Sequence, residues 1–471
     1  MTSFKIPISG LYTDYYELTM AQGYYLSGMA NRRSVFDYYF RDHPFSGGYT
    51  IFAGIQDLLD ALQQFRFDLG DLEYLHTLGF ESDFLSFLQS FHFLGQIWSV
   101  KEGEVVFPNT PLVRVESTLI EGQLIETVLL NILNYESLIA TKAARIRQVA
   151  RDRLVAEFGL RRAQGLAGIQ GSRAAVIGGV DVTSNVFAAR AYALTPVGTQ
   201  AHSWIQSFND ELTAFRTYVN LYPQNSTLLV DTHNTLESGV PNAIIVAKEM
   251  EVKGNRLQGI RLDSGDLAYL SKAARQMLDG EGLNYVKIVA SNQLDEYLIR
   301  SLIDQGAPID IFGIGTNLIT GQPTAALDGV YKLAMINNEP SIKISDHIAK
   351  VNLPGVKQVM RYSDSRGLFY ADGIQLLDNQ PPEQLFHPVF SEKQCSVEGL
   401  AREPLLFQVM KAGEPLCVTS VTAAASYRRE RLNHLPMEHK RFENPHIYKV
   451  GLSPELLDLR QSLLNVKISG R

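Results

Sequence analysis

The feature that most constrains this chain is a rhythm between about residue 150 and residue 320. Short apolar runs ending in Gly, Asp, Asn or Thr alternate there with stretches of helical periodicity: LVAEFG, AAVIGGVD, LTPVGT, TLLVD, GIRLD, VKIVAS and DIFGIGT. A strand followed by a helix, repeated, makes successive strands parallel, because a parallel neighbour needs a long crossover. Seven such units, with no GxGxxG at their start, favour a closed or nearly closed parallel α/β barrel over an open dinucleotide-binding sheet.

The flanks read differently. YTDYYELTMAQGYYLSGM and AGIQDLLDALQQF carry apolar residues three and four apart and predict amphipathic helices. IWSV, VVF and LVRV, separated by EGE and PNTP, predict a small β-module. Leu119 to Arg147 is long enough for two joined helices, and within it the face carrying Lys142 and Arg145 reads as solvated. After Val330 come scattered strands (YKLAMI, KQVMRYS, LFYADG, LFQVMKAG), expected to join the N-terminal module, and a last helix at PELLDLRQSLL. The expected division is an N-terminal α+β domain at 1–118, connecting helices at 119–147, the α/β barrel at 148–330 and a β-rich C-terminal segment at 331–471.

Composition removes several functions. A formal charge of −7 offers no broad basic surface for nucleic acid. Two cysteines, Cys395 and Cys417, make neither a CxxC nor a Cys/His cluster, so no zinc site is expected and a reducing cytoplasm fits. No signal peptide or membrane span is read, and a soluble cytoplasmic protein is expected.

In parallel α/β folds chemistry gathers at the carboxyl ends of the strands, and here those ends are polar. GIGTN, with Gly313, Gly315, Thr316 and Asn317, suits a phosphate cradle of backbone N–H groups, although a glycine-rich turn reads as well. In RLDSGDL, Asp263 follows Arg261 by two residues and could hold sugar hydroxyls or magnesium; alternatively Asp263 or Ser264 caps the next helix. His202 in GTQAHSW could serve as base, nucleophile or phosphoryl acceptor, and a satisfied structural histidine is the alternative, as for His233. FGLRR sets Phe158 beside Arg161 and Arg162, which suits an aromatic carboxylate or a phosphate. Asp14 is expected to cap a helix on which Tyr15 and Tyr16 pack.

Taken together, TDYYELTMAQGYY, EGEVVFPNTPLVRVE, LIETVLLNILNYESLIATKAAR, FGLRRAQG, GGVDVTSN, GTQAHSW, IRLDSGDL and FGIGTNL resemble the nicotinate phosphoribosyltransferase family from about Tyr12 to Leu464. The resemblance implies an irregular parallel α/β barrel of the type II phosphoribosyltransferase kind, with a second α+β domain built from the N- and C-terminal segments. It also implies a homodimer with shared active sites. The implied reaction makes nicotinate mononucleotide from nicotinate and phosphoribosyl pyrophosphate in NAD biosynthesis, coupled to ATP hydrolysis, with Mg2+.

By the same resemblance His202 is the histidine that ATP phosphorylates. Tyr16 of a partner subunit and Phe158 sandwich the pyridine ring, Thr199 and Arg261 contact nicotinate, and Arg161 meets the ring substituent or the pyrophosphate. Asp263 meets the ribose hydroxyls, and Ser291, Asn292 and Thr316, with Gly313, Gly315 and Asn317, hold phosphoribosyl pyrophosphate. Ser184 stands where nicotinamide-using relatives carry an aspartate. A hydroxyl can donate to a carboxylate that an aspartate would repel, which selects nicotinate. Many members read DTYDT where this chain has Asp231-Thr-His233-Asn234-Thr, so one carboxylate is missing. A nicotinamide or quinolinate transferase and a catalytically inactive phosphate-binding barrel are the alternatives.

Overall fold

The computed structural model describes residues 8–343 and 351–469, the side chains of 467–469 excepted. Two compact units divide the chain, one of Lys142–Ala325 and one of the residues on either side of it. The helix Glu126–Ala150 contains the boundary.

In the Lys142–Ala325 unit six strands form one parallel sheet: β1 (Leu154–Glu157), β2 (Val182–Thr183), β3 (Thr227–Leu229), β4 (Gly259–Leu262), β5 (Lys287–Ser291) and β6 (Ile311–Ile314). Their order is β2-β1-β6-β5-β4-β3, so each neighbour in space is a neighbour in sequence apart from the join between β1 and β6. Val155, Ala156, Ile260, Leu262, Ile288, Val289, Phe312 and Ile314 are buried, as expected of strands covered on both faces. Helices Leu166–Gly178, Glu211–Leu221, Val240–Val252, Leu267–Gly280 and Glu296–Asp304 supply crossovers. Asp210, Asp266 and Asp295 cap three of them by accepting N–H bonds in the first turn.

Two predicted strands are corrected. AAVIG of the AAVIGGVD run ends the helix Leu166–Gly178, and only Val182–Thr183 is extended. LTPVGT makes a single parallel bridge, Thr183 with Pro196, in which the Thr183 N–H donates to the Thr195 carbonyl at 3.2 Å and the Val197 N–H to the Thr183 carbonyl at 2.9 Å. The solvated face expected at Lys142 and Arg145 is also corrected. Both side chains are buried and pair with the buried carboxylate of Glu296, Arg145 at 2.8 Å. Spacing alone hid this because the countercharge lies about 150 residues away in sequence.

In the other unit, strands from both ends of the chain share sheets. Arg33–Phe40 lies between Gly329–Ile336 and Val113–Thr118, and Phe407–Lys411 pairs with Gln96–Ser99. A second, six-stranded sheet is built around Lys357–Ser363, Phe369–Leu376 and Lys449–Leu452. The expected joined helices appear as Leu119–Leu124, opened by a Thr118/Glu121 capping box, and Glu126–Ala150. Asp14 occupies the N-cap position of Tyr15–Leu26 without capping it. Its carboxylate instead accepts from Thr127 Oγ1 at 3.0 Å.

Candidate active site

Arg261, on β4, gathers the predicted residues of the parallel-sheet unit. Its Nε donates to Ser291 Oγ (2.9 Å), Nη1 to Thr199 Oγ1 (2.9 Å) and Nη2 to Asp263 Oδ1 (2.8 Å). The guanidinium lies 5.6 Å from the centre of the Phe158 ring. Three of five N–H donors are therefore spent on holding the group still, and two remain for a ligand. Ser291 passes the contact on, donating its own hydrogen to Asp263 Oδ1.

Asp263 is held by a neighbour to which the sequence reading gave no role. Asp231 Oδ2 accepts from the Asp263 N–H (2.8 Å) and from Ser264 Oγ (2.7 Å). Asp231 Oδ1 is buried with no partner among the described residues. The helix cap falls to Asp266, whose Oδ1 accepts from the N–H groups of Ala268 and Tyr269 at 3.0 Å, which leaves Asp263 for the site. His202, at the start of His202–Gln206, has Nδ1 3.0 Å from Thr232 Oγ1 and Nε2 3.9 Å from Asp263 Oδ2. Its side chain is 42% exposed. His233 is exposed, and among the described residues it does not join this network.

The remaining residues line the same strand ends. Phe158 follows β1, and a Cβ on Gly313 would come within 2.4 Å of its ring. Glycine at 313 is thus required for the ring to lie where it does. Ser184 follows β2 and donates its N–H to the Glu157 carbonyl at 2.8 Å. Arg161 lies exposed in the turn Leu160–Arg162. Gly315 precedes the short helix Thr316–Ile319. Asn292 has φ +83° and Gln293 φ +49°, a region that asparagine tolerates better than most residues. Asn317 spends its amide on this turn, donating to the carbonyls of Gln293 (2.8 Å) and Leu294 (3.3 Å).

Tyr16 belongs to the other unit, 48% exposed in the first turn of Tyr15–Leu26. Its hydroxyl is pushed up by burial and by the carboxylates of Glu17 and Glu126.

Reasoning from sequence placed Asp231, Thr232, Ser264 and Gln200 at polar strand ends but gave none of them a role in the site. Gln200 is buried, and neither polar atom of its amide finds a partner among the described residues. The available signal was position, since all four follow strand-like runs. No group of three or more His, Cys, Asp or Glu among the described residues is placed to hold a metal unaided. Magnesium, however, prefers a few hard oxygens completed by substrate phosphates, and the unpartnered Asp231 Oδ1 beside Asp263 suits that arrangement. Among the described residues no helix is long and apolar enough to cross a membrane.

Three family models match. Residues 11–134 match the nicotinate phosphoribosyltransferase N-terminal domain, 154–391 the nicotinate phosphoribosyltransferase family and 356–460 its C-terminal domain. A nicotinate phosphoribosyltransferase of Bacillus subtilis is 43% identical over 96% of this chain and 94% of its own length. One from Rattus norvegicus is 31% identical over 98% and 97%. The crystal structure of human nicotinic acid phosphoribosyltransferase superposes with a TM-score of 0.85 at 30% identity, covering 96% of this chain and 99% of that one. A nicotinate-nucleotide pyrophosphorylase from Pyrococcus furiosus, 22% identical with a TM-score of 0.72 over 92% and 99%, shares the fold.

Proposed function

The chain belongs to the nicotinate phosphoribosyltransferase family, and on that premise we propose that it joins nicotinate to 5-phosphoribosyl 1-pyrophosphate, giving nicotinate mononucleotide and pyrophosphate in the salvage route to NAD. The observation that carries this reading is Arg261, fixed by Thr199, Ser291 and Asp263 over the face of Phe158 with two N–H donors to spare. A flat ring bearing a carboxylate matches that pairing of aromatic face and fork-shaped cation.

In the proposed reaction the pyridine nitrogen lone pair forms a bond to the ribose anomeric carbon while the bond from that carbon to the pyrophosphate oxygen breaks. The leaving group takes the electron pair and the ring becomes a pyridinium. The chain's part is to hold the two partners in line and to stabilise the separating charges, so no protein nucleophile is needed. Phe158 on one face and the partner subunit's Tyr16 on the other set the ring plane. Arg261, Thr199, Ser184 and Arg161 fix its carboxylate. Asp263 accepts from the ribose hydroxyls, and Ser291, Asn292 and the backbone from Gly313 through Gly315, Thr316 and Asn317 hold the phosphates. Asp231 and Asp263 would hold Mg2+, which neutralises pyrophosphate charge.

ATP enters through His202. With Nδ1–H donated to Thr232, the Nε2 lone pair attacks the γ-phosphorus, and ADP leaves with the electrons of the broken P–O bond. The phosphohistidine adds about −1.5 to −2 charges beside Asp263, by analogy with other phospho-residues, and its hydrolysis couples ATP to product formation. The unit's closure into a barrel is part of the same proposal. β2 and β3 are the two ends of the sheet, and what supports closure is that the segment bridged to β2 at Pro196 leads directly to Thr199 and His202, whose side chains meet Arg261 of β4 and Thr232 after β3. A cytoplasmic homodimer completes the proposal.

The test is competition among nicotinate, nicotinamide and quinolinate in the parent enzyme and in Ser184→Asp. The parent should use nicotinate alone. Ser184→Asp should raise the nicotinate KM by about tenfold or more through like-charge repulsion. Equal use of nicotinamide, or an unchanged KM in the variant, would oppose the assignment.

A further inference from the structure

Glu157 is a buried carboxylate with an unusual set of partners, all within the parallel-sheet unit. It ends β1 with its side chain fully buried, and among the described residues its side-chain contacts are neutral donors. The Gly159 N–H and the Thr183 hydroxyl (2.6 Å) donate to it, and the Ser172 hydroxyl lies 2.9 Å both from it and from the Gly168 carbonyl, sharing one hydrogen between them. Its backbone carbonyl accepts from the Ser184 N–H at 2.8 Å. Gly159 adjoins Phe158, and Thr183 adjoins Ser184. One residue therefore ties together the loop carrying the aromatic face and the loop carrying the carboxylate-reading hydroxyl.

The tie extends outward. The Asn185 N–H donates to Thr183 Oγ1 (3.0 Å), and its amide donates to the Gly168 carbonyl (2.9 Å) and Ser172 Oγ (3.1 Å). Glycine at 159 is part of the design, since a Cβ there would come within 2.8 Å of Glu157 Oε1 and 2.5 Å of Ile319. Burying a carboxylate without a cation is unfavourable unless strong donors replace its water, and apolar packing would usually stabilise the fold as well or better. What the charge adds is direction: it accepts from the Gly159 N–H on one loop and the Thr183 hydroxyl on the other at once, and so fixes the distance between the two loops.

We infer that Glu157 is a positioning residue that sets the spacing between Phe158 and Ser184, and that the discrimination of nicotinate from its uncharged amide depends on it. The inference rests on the reading of Phe158 and Ser184 given above.

The experiment compares the KM for nicotinate with the inhibition constant of nicotinamide as its competitor, their ratio being the preference, together with the KM for phosphoribosyl pyrophosphate and the melting temperature, in the full-length enzyme and in Glu157→Gln, Thr183→Val and Thr183→Ser. In Glu157→Gln one carboxylate oxygen becomes an NH2 facing a donor. The nicotinate preference should fall by about tenfold or more, as a displaced reacting group implies, with the phosphoribosyl pyrophosphate KM unchanged. Thr183→Val, which leaves the carboxylate in place, should shift the preference in the same direction by less, and Thr183→Ser should restore it.

An unchanged preference in folded Glu157→Gln or Thr183→Val would overturn the inference. If Glu157→Gln does not fold, the Thr183 pair decides. A parent enzyme with no preference for nicotinate would instead sink the reading of Ser184, which keeps the two failures apart.

Discussion

Arg261 and His202 show how much depends on partners that no single motif names. Arg261 is held by three side chains, Asp263 after its own strand, Ser291 at the end of β5 and Thr199 in the segment after the Pro196 bridge. His202 differs from the exposed His233 through its contacts with Thr232 and Asp263. If His202 is the phosphoryl acceptor, His202→Ala should abolish labelling of the protein by γ-labelled ATP and remove stimulation by ATP. Slow, ATP-independent transfer should persist. A variant that is labelled as strongly as the parent would place the phosphoryl group elsewhere. At this scale the sequence displayed the residue types and their strand-end positions, and family resemblance supplied roles. Asp231 could not be singled out, because its importance lies in accepting from the Asp263 N–H and Ser264 across 32 and 33 positions of sequence.

Among elements, helices and strands whose own residues carry the pattern were legible, and those decided by distant contacts were not. The joined helices from Leu119 emerge where the apolar spacing and the Thr118/Glu121 box put them. AAVIGG, apolar throughout, suits a strand or a buried helix, and tertiary packing chose the helix. The helix Tyr15–Leu26 holds a feature of the same kind, since Glu17 looks like an ordinary surface acid. It is fully buried, with Oε2 accepting from the Gln123 amide, which also donates to Glu126 at 3.1 Å. Burial, with the Glu126 charge adding to it, pushes the carboxyl up from 4.5 to about 7. Between those values the folded chain keeps a proton that the unfolded chain has lost, so stability falls as pH rises from about 4.5 to about 7 and then levels off, by on the order of 3 kcal/mol. Glu17→Gln should abolish that loss, so the variant should gain in melting temperature on the parent between pH 5 and pH 8. Parallel pH dependence in the two proteins would contradict this.

For the whole molecule, the alternation between residues 150 and 320 foretold a parallel sheet, and the separated β-rich flanks do share sheets, as Arg33–Phe40 with Gly329–Ile336 demonstrates. Assembly lies beyond a single chain's pattern. The proposed dimer makes a distinctive prediction, because each site would need Tyr16 from one chain and His202 from the other. Tyr16→Ala and His202→Ala homodimers should each be impaired with ATP present. Mixed dimers should recover up to one functional site per dimer, read as ATP-stimulated activity after unfolding and refolding the two together. Activity no greater than the average of the two variants would argue that each site is completed within one chain.

The most direct test of the account is product formation from nicotinate and phosphoribosyl pyrophosphate with Mg2+, with and without ATP, and with nicotinamide in parallel. The account predicts nicotinate mononucleotide, formed faster with ATP, and no amide product. Absence of turnover with every pyridine base would contradict it and leave an inactive phosphate-binding fold, with His233 and Asn234 the first positions to restore.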